Sequence, residues 1–178
     1  MHSRPKKQPM KTLLLIRHAK SSWENPYLSD FDRPLNKRGK HDAPLMGGIL
    51  KEKNMIPDTI YSSPAVRALE TAKKVAEKLN YKKSRIIHID ELYHASSNGI
   101  LAVLRQADAN IQRLVAVCHN PGITELVNYF LDKAIENVPT TGIVAIRFNV
   151  GCWDQISPQN ASFISFDYPK QYYPKKEA

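Results

Sequence analysis

Lys11-Thr12-Leu13-Leu14-Leu15-Ile16-Arg17-His18 is the stretch on which the fold turns. Its apolar run is short and stops abruptly at Arg17-His18, so Lys11–Arg17 reads as a buried strand that delivers two polar residues at its end. Outward from it, apolar spacing alternates between strand and helix. Residues about 36–53 read as a helix with Asn36 as N-cap and Leu45, Met46, Ile49 and Leu50 on one side. Pro44 inside it implies a kink or a late start. Thr59–Ser62 reads as a second strand.

The strongest helical signal runs from Pro64 to Asn80. Ala65, Ala68, Leu69, Ala72, Val75, Ala76 and Leu79 form one apolar stripe, with Pro64 expected in the first turn and Ser63 as cap. Arg85–Ile89 is a third strand, followed by a loop and a helix at about 98–108. Leu114–Cys118 is a fourth strand, followed by a helix from about Pro121 to Leu131. Ile143–Val150 and Ala161–Asp167 close the series as two strands, expected to be antiparallel at the sheet edge. This order predicts an α/β fold: a three-layer α/β/α sandwich with a mostly parallel central sheet and an antiparallel edge.

The chain has 178 residues and 42% hydrophobic content, which suits one domain. We place that domain at 11–169, between basic tails at 1–10 and 170–178. The net charge of +9 raises the question of nucleic acid, but its distribution argues against it. Residues 1–11 carry +4 and residues 170–178 carry +2, which leaves +3 for the body. Charge of this kind on chain ends is usually solvated, and no recognition motif accompanies it. The run Leu13–Ile16 is too short for a membrane span or a secretory leader. Cys118 and Cys152 are too few for a disulfide framework and lack zinc spacing, so a reducing, cytoplasmic setting is expected. Met10 could mark the native edge of the folded unit.

Three motifs sit at the ends of three expected strands. Arg17-His18 ends the first, Ser62-Ser63-Pro64-Ala65-Val66-Arg67 follows the second, and His119-Asn120-Pro121-Gly122 follows the fourth. Open α/β sheets bind ligands beyond the carboxyl ends of their strands, so parallel strands would bring two arginines and two histidines together. An arginine fork suits phosphate oxygens, and a neutral histidine can attack phosphorus. Taken singly, each has a bland reading: Arg17 as a surface charge, His18 as a loop histidine, Arg67 on a solvated helix face, His119 as a satisfied histidine. Their joint placement points to phosphoryl transfer.

The series Leu14-Leu15-Ile16-Arg17-His18-Ala19-Lys20, Ser62-Ser63-Pro64 with Arg67-Ala68, and His119-Asn120-Pro121-Gly122 resembles the histidine phosphatase (phosphoglycerate mutase-like) superfamily. Ala19-Lys20-Ser21-Ser22-Trp23, Asp32-Arg33-Pro34-Leu35, Gly39 and the short chain resemble its SixA-type phosphohistidine phosphatase branch. The resemblance spans about residues 11–167. It implies that His18 is phosphorylated during turnover and that Arg17, Arg67 and His119 bind the phosphoryl oxygens. It implies neither a metal nor a cofactor. Ala19 departs from the glycine common in the superfamily and could restrict the backbone after the nucleophile. The expected general acid falls in Asp90-Glu91-Leu92-Tyr93, with Glu91 preferred and Asp90 as the alternative; a capping or surface role is the competing reading of both.

The rival readings are narrower. No arginine lies six residues after either cysteine, which excludes a cysteine phosphatase, and no glycine-rich nucleotide loop is present. His88, Asp90 and His94 lack a recognised metal-ligand spacing. A mutase would need a lid, for which the chain has little spare length. The remaining candidates are a phosphatase acting on phosphohistidine in a partner protein, a phosphatase of small phosphomonoesters, and a non-catalytic phosphate-binding module.

Overall fold

The computed structural model describes residues 9–132 and 135–174. The outer parts of the two basic tails, 1–8 and 175–178, lie outside the described residues. Among the described residues six strands and four helices alternate: β1 (Lys11–Arg17), α1 (Lys37–Glu52), β2 (Thr59–Ser62), α2 (Val66–Lys78), β3 (Ile87–His88), α3 (Ser97–Arg105), β4 (Arg113–Cys118), α4 (Gly122–Leu131), β5 (Ile143–Phe148) and β6 (Ala161–Asp167). They form one sheet in the order β3-β2-β4-β1-β5-β6. β3, β2, β4 and β1 are parallel neighbours, while β5 runs antiparallel to both β1 and β6.

The alternation of side chains across β1 explains the three layers. Leu13 and Leu15 face one core with Ile100, Leu104, Ile123 and Phe130 of α3 and α4. Leu14 and Ile16 face the other with Met46, Leu50, Ala72 and Val75 of α1 and α2. All four aliphatic residues are fully buried, which is why β1 reads as an unbroken apolar run. Among the described residues no helix is long and apolar enough to cross a membrane.

The differences from the expected elements have local causes. Asn36 caps α1 by accepting from the Gly39 amide, and the helix passes through Pro44 without a late start. α2 begins at Val66, so Ser63 and Pro64 precede it and Ala65 is its N-cap. Ser63 remains strand-like because its amide donates to the Val117 carbonyl at 3.0 Å, continuing the ladder past β2. β3 shrinks to two exposed residues because Lys83–Arg85 winds into a 3-10 turn. Lys11, counted among the N-terminal charges, is buried, its ammonium bonded to the carbonyls of Ala109 and Ile111. Beyond 169 the chain still touches the body: Tyr172 packs on the α1–α2 core and the Tyr173 hydroxyl donates to buried Asp42 at 2.6 Å.

Register sets the position of the site. Arg17 lies level with Cys118, and Ser62 with Val117. His18 and His119, each the next residue, therefore leave the sheet at one level, with Ser63 one residue behind them, level with Arg17 and Cys118.

Candidate active site

A cleft of about 270 Å³ opens at this edge, lined by Arg17, His18, Arg33, Arg67, His94 and His119 among others. The strand-end residues of all three motifs thus meet in one place. Arg67, on the first turn of α2, is only 3% exposed rather than solvated. Its Nε donates to His18 Nε2 at 3.3 Å and its NH2 lies 3.4 Å from His119 Nδ1. Its remaining donors go to the carbonyl of Asp30 and, at 2.9 Å, to Asp30 Oδ2.

The backbone selects the tautomer of His18. Nδ1 lies 2.8 Å from the Ala19 carbonyl, which can only accept, so the ring proton belongs on Nδ1 and the Nε2 lone pair faces the cleft. Ala19 is buried, needs no left-handed backbone, and donates its amide to Thr71 Oγ1. The methyl group at this position is therefore accommodated. Burial lowers His18 to about 4 against the pull of the Ala19 carbonyl, with the charges of Arg67, Arg17 and Arg33 adding to the fall. The ring is neutral at neutral pH, the form that can act as a nucleophile.

His119 is lowered to about 3, first by burial and then by the neighbouring His18, Arg67 and His94, while Asp30 opposes the fall. Its Nε2 lies 2.7 Å from Ser63 Oγ, and its ring centroid is 5.0 Å from that of His18. Arg17 donates NH1 to the Val138 carbonyl at 2.9 Å and to Asn137 Oδ1 at 3.3 Å, whereas its Nε is buried with no protein partner. A buried donor of that kind beside two further arginines is chemistry suited to an oxyanion. Asn120 ties the same Asn137–Val138 segment from the other side, through Nδ2 to Asn137 Oδ1 at 2.7 Å.

The acidic residues are placed differently from expectation. Asp90 and Glu91 are exposed on a 3-10 turn (Asp90–Leu92) and neither lines the cleft; Glu91 borders a separate groove with Tyr61 and Gly99. The carboxylate that reaches the cleft is Asp30, in the loop after β1. Burial alone would raise its pKa, but bonds from His94, Arg33, Tyr93 and Arg67 outweigh that and hold it far below the carboxylate range. It is an anchor for the cations.

Asp30, Tyr93, and Ser63 as a partner of His119 are not among the residues the sequence motifs single out, and His94 stands there only with His88 and Asp90, without metal-ligand spacing. The available signal was proximity in sequence: Asp30 and Arg33 flank or belong to the Asp32-Arg33-Pro34 motif, and Tyr93-His94 follows the two candidate acids. Gly122 closes the arrangement, since a Cβ there would lie 2.2 Å from the Ala95 carbonyl oxygen. Only glycine lets α4 start against the segment that carries His94.

Comparison with known proteins gives the chain's relatives. The model of the histidine phosphatase superfamily (branch 1) matches residues 13–101, half of the chain, including Arg17, His18 and Arg67. An uncharacterized protein of Mycobacterium tuberculosis is 28% identical over 165 residues, covering 87% of this chain and 100% of that protein. Phosphoserine phosphatase 1 of Hydrogenobacter thermophilus is 37% identical over 118 residues, 62% of this chain and 53% of that protein. An uncharacterized chloroplastic protein of Arabidopsis thaliana is 32% identical over 116 residues, 65% of this chain. The chain spans about half the length of these last two relatives. Among solved structures, a candidate phosphohistidine phosphatase SixA from Agrobacterium tumefaciens superposes with a TM-score of 0.77 at 27% identity, covering 89% of this chain and 98% of that one.

Proposed function

The chain belongs to the histidine phosphatase superfamily, and we propose that it is a phosphatase that carries the phosphoryl group on His18 Nε2. The observation that carries this reading is the His18 ring itself: neutral, with Nδ1 committed to the Ala19 carbonyl and Nε2 beside Arg67 Nε at 3.3 Å. Arg17 and Arg67 bind the phosphoryl oxygens, and their fixed charges match the charge that builds on those oxygens in the transition state. The dianion also favours a proton on His119, which then serves as a further donor. Attack by Nε2 forms a nitrogen–phosphorus bond as the bond to the leaving group breaks. Water then takes the phosphoryl group and restores His18.

For substrate we propose phosphohistidine on a partner protein. Likeness to the Agrobacterium structure supports this, together with a cleft that opens directly to solvent at Trp23, which is 72% exposed. The two free cysteines suit a cytoplasmic setting, which is proposed with it. A second reading, hydrolysis of a small ester such as phosphoserine, is favoured by the Hydrogenobacter relative.

The test compares wild type and His18→Ala on a phosphohistidine-bearing protein domain and on p-nitrophenyl phosphate. Loss of the nucleophile is expected to lower turnover on both by about 10⁴-fold or more. Faster wild-type clearance of the phosphoprotein supports the protein substrate, and turnover of the ester alone supports the second reading. Full activity in His18→Ala would remove His18 as nucleophile.

A further inference from the structure

The segment after β3 sends an imidazole into the cleft where its carboxylates, Asp90 and Glu91, stay outside. His94 Nε2 lies 2.9 Å from Asp30 Oδ2, the same oxygen that receives Arg67 NH2 and the Tyr93 hydroxyl, each at 2.9 Å. Its ring is parallel to that of His119 within 2° at a centroid separation of 5.8 Å, and Tyr93 meets it edge-on at 4.2 Å. The backbone of His94 is left-handed, with φ of 52°, which is uncommon for a residue with a side chain. The close approach of Gly122 to Ala95 pins the next residue. His94 is thus a held group, although its side chain is 58% exposed.

We propose that His94 is the proton donor to the leaving group, with Asp30 as the residue that positions it. This rests on the His18 pathway proposed above. Asp30, ionised and shared among four donors, has no proton to give and can only accept from His94 Nε2. That leaves Nδ1 as the nitrogen free to exchange a proton with the reactants. As His18 Nε2 bonds to phosphorus, the bond to the leaving oxygen or nitrogen breaks and its electron pair departs with that atom. The leaving atom takes the Nδ1 proton, and His94 is left neutral with Nε2–H still on Asp30. In the second step the attacking water gives its proton to Nδ1 while the nitrogen–phosphorus bond breaks and the electron pair returns to His18. The cycle closes with inorganic phosphate released and His94 reprotonated. The charged and titratable groups around His94 are Asp30 from the loop after β1, Arg33 and Arg67 through that carboxylate, His119 from the end of β4, and Tyr93 beside it.

The experiment is single-turnover labelling of His18 in wild type and His94→Gln, with phosphoserine as the poor leaving group and p-nitrophenyl phosphate as the good one. A glutamine amide at this position can hold Asp30 but cannot deliver a proton. The expected result is that the ratio of rates, phosphoserine over p-nitrophenyl phosphate, falls by about 10²-fold in His94→Gln. Equal slowing of both esters would overturn the assignment and leave His94 a structural neighbour of Asp30. Labelled His18 in wild type would show in that case that the covalent pathway stands while the His94 assignment fails. Absence of label on wild-type His18 from both esters and from a phosphohistidine-bearing protein domain would overturn both.

Discussion

The floor and the rim of the cleft are built on opposite terms. The floor consists of residues at the ends of β1, β2 and β4 and the first turn of α2, and it is withdrawn from solvent: Arg67 and His119 are each 3% exposed, and Arg17 and His18 are half-buried. The rim is the loop after β1, where Trp23 is 72% and Tyr27 95% exposed. The contact that orders the rim beside the floor is Arg33, which stacks 3.6 Å above Trp23 and binds Asp30 at 2.8 Å. A floor on strand ends holds charge in one geometry for the chemistry, while a loop rim is free to set what enters. Asp30 belongs to both, since it spends one carboxylate on Arg33 of the rim and Arg67 of the floor.

The largest effect that would sharpen this contrast is at Arg67. Arg67→Lys keeps the charge but cannot bond His18, Asp30 and His119 at once, and kcat is expected to fall by about 10²–10³-fold. Steady-state kinetics on p-nitrophenyl phosphate checks it, and a loss of less than about threefold would mean that the floor does not depend on arginine geometry. A smaller effect is expected in stability against pH. His18 at about 4 and His119 at about 3 lie below the ordinary imidazole value of about 6.5. Between those values the unfolded chain binds protons that the folded one refuses. Their contribution is therefore complete above about pH 6.5 and is lost as pH falls toward about 4. Thermal denaturation from about pH 4 to about pH 7 should show Tm dropping in that window, with a shallower slope in His18→Ala. The smallest effect is expected outside both regions: Glu91→Gln should change kcat by no more than about twofold. A loss comparable to that of Arg67→Lys would return the Asp90–Leu92 turn to the catalytic wall.

The sequence by itself determined the alternation of strands and helices and the placing of three motifs at strand ends. β1, β2 and β6 have the bounds that apolar runs and their polar ends predict, and Asn36 caps α1 as its position before the apolar pattern suggests. Motifs at strand ends were legible because parallel strands bring those ends together whatever lies between them. Element edges were less so: Ser63 resembles a helix cap, yet its amide completes a strand ladder and its hydroxyl meets His119. Tertiary structure alone decided the surroundings of the nucleophile. Arg67 is off the apolar stripe of α2 and reads as solvated, but the loop after β1 folds over it and buries it against Asp30. The same loop brings Asp30 to His94, 64 positions away, and no local pattern encodes that meeting. Periodicity is a property of single elements, set by backbone geometry, whereas a hydrogen bond between two loops depends on where the sheet carries their ends. The choice between Glu91 and His94 at the cleft belongs to that second kind of information.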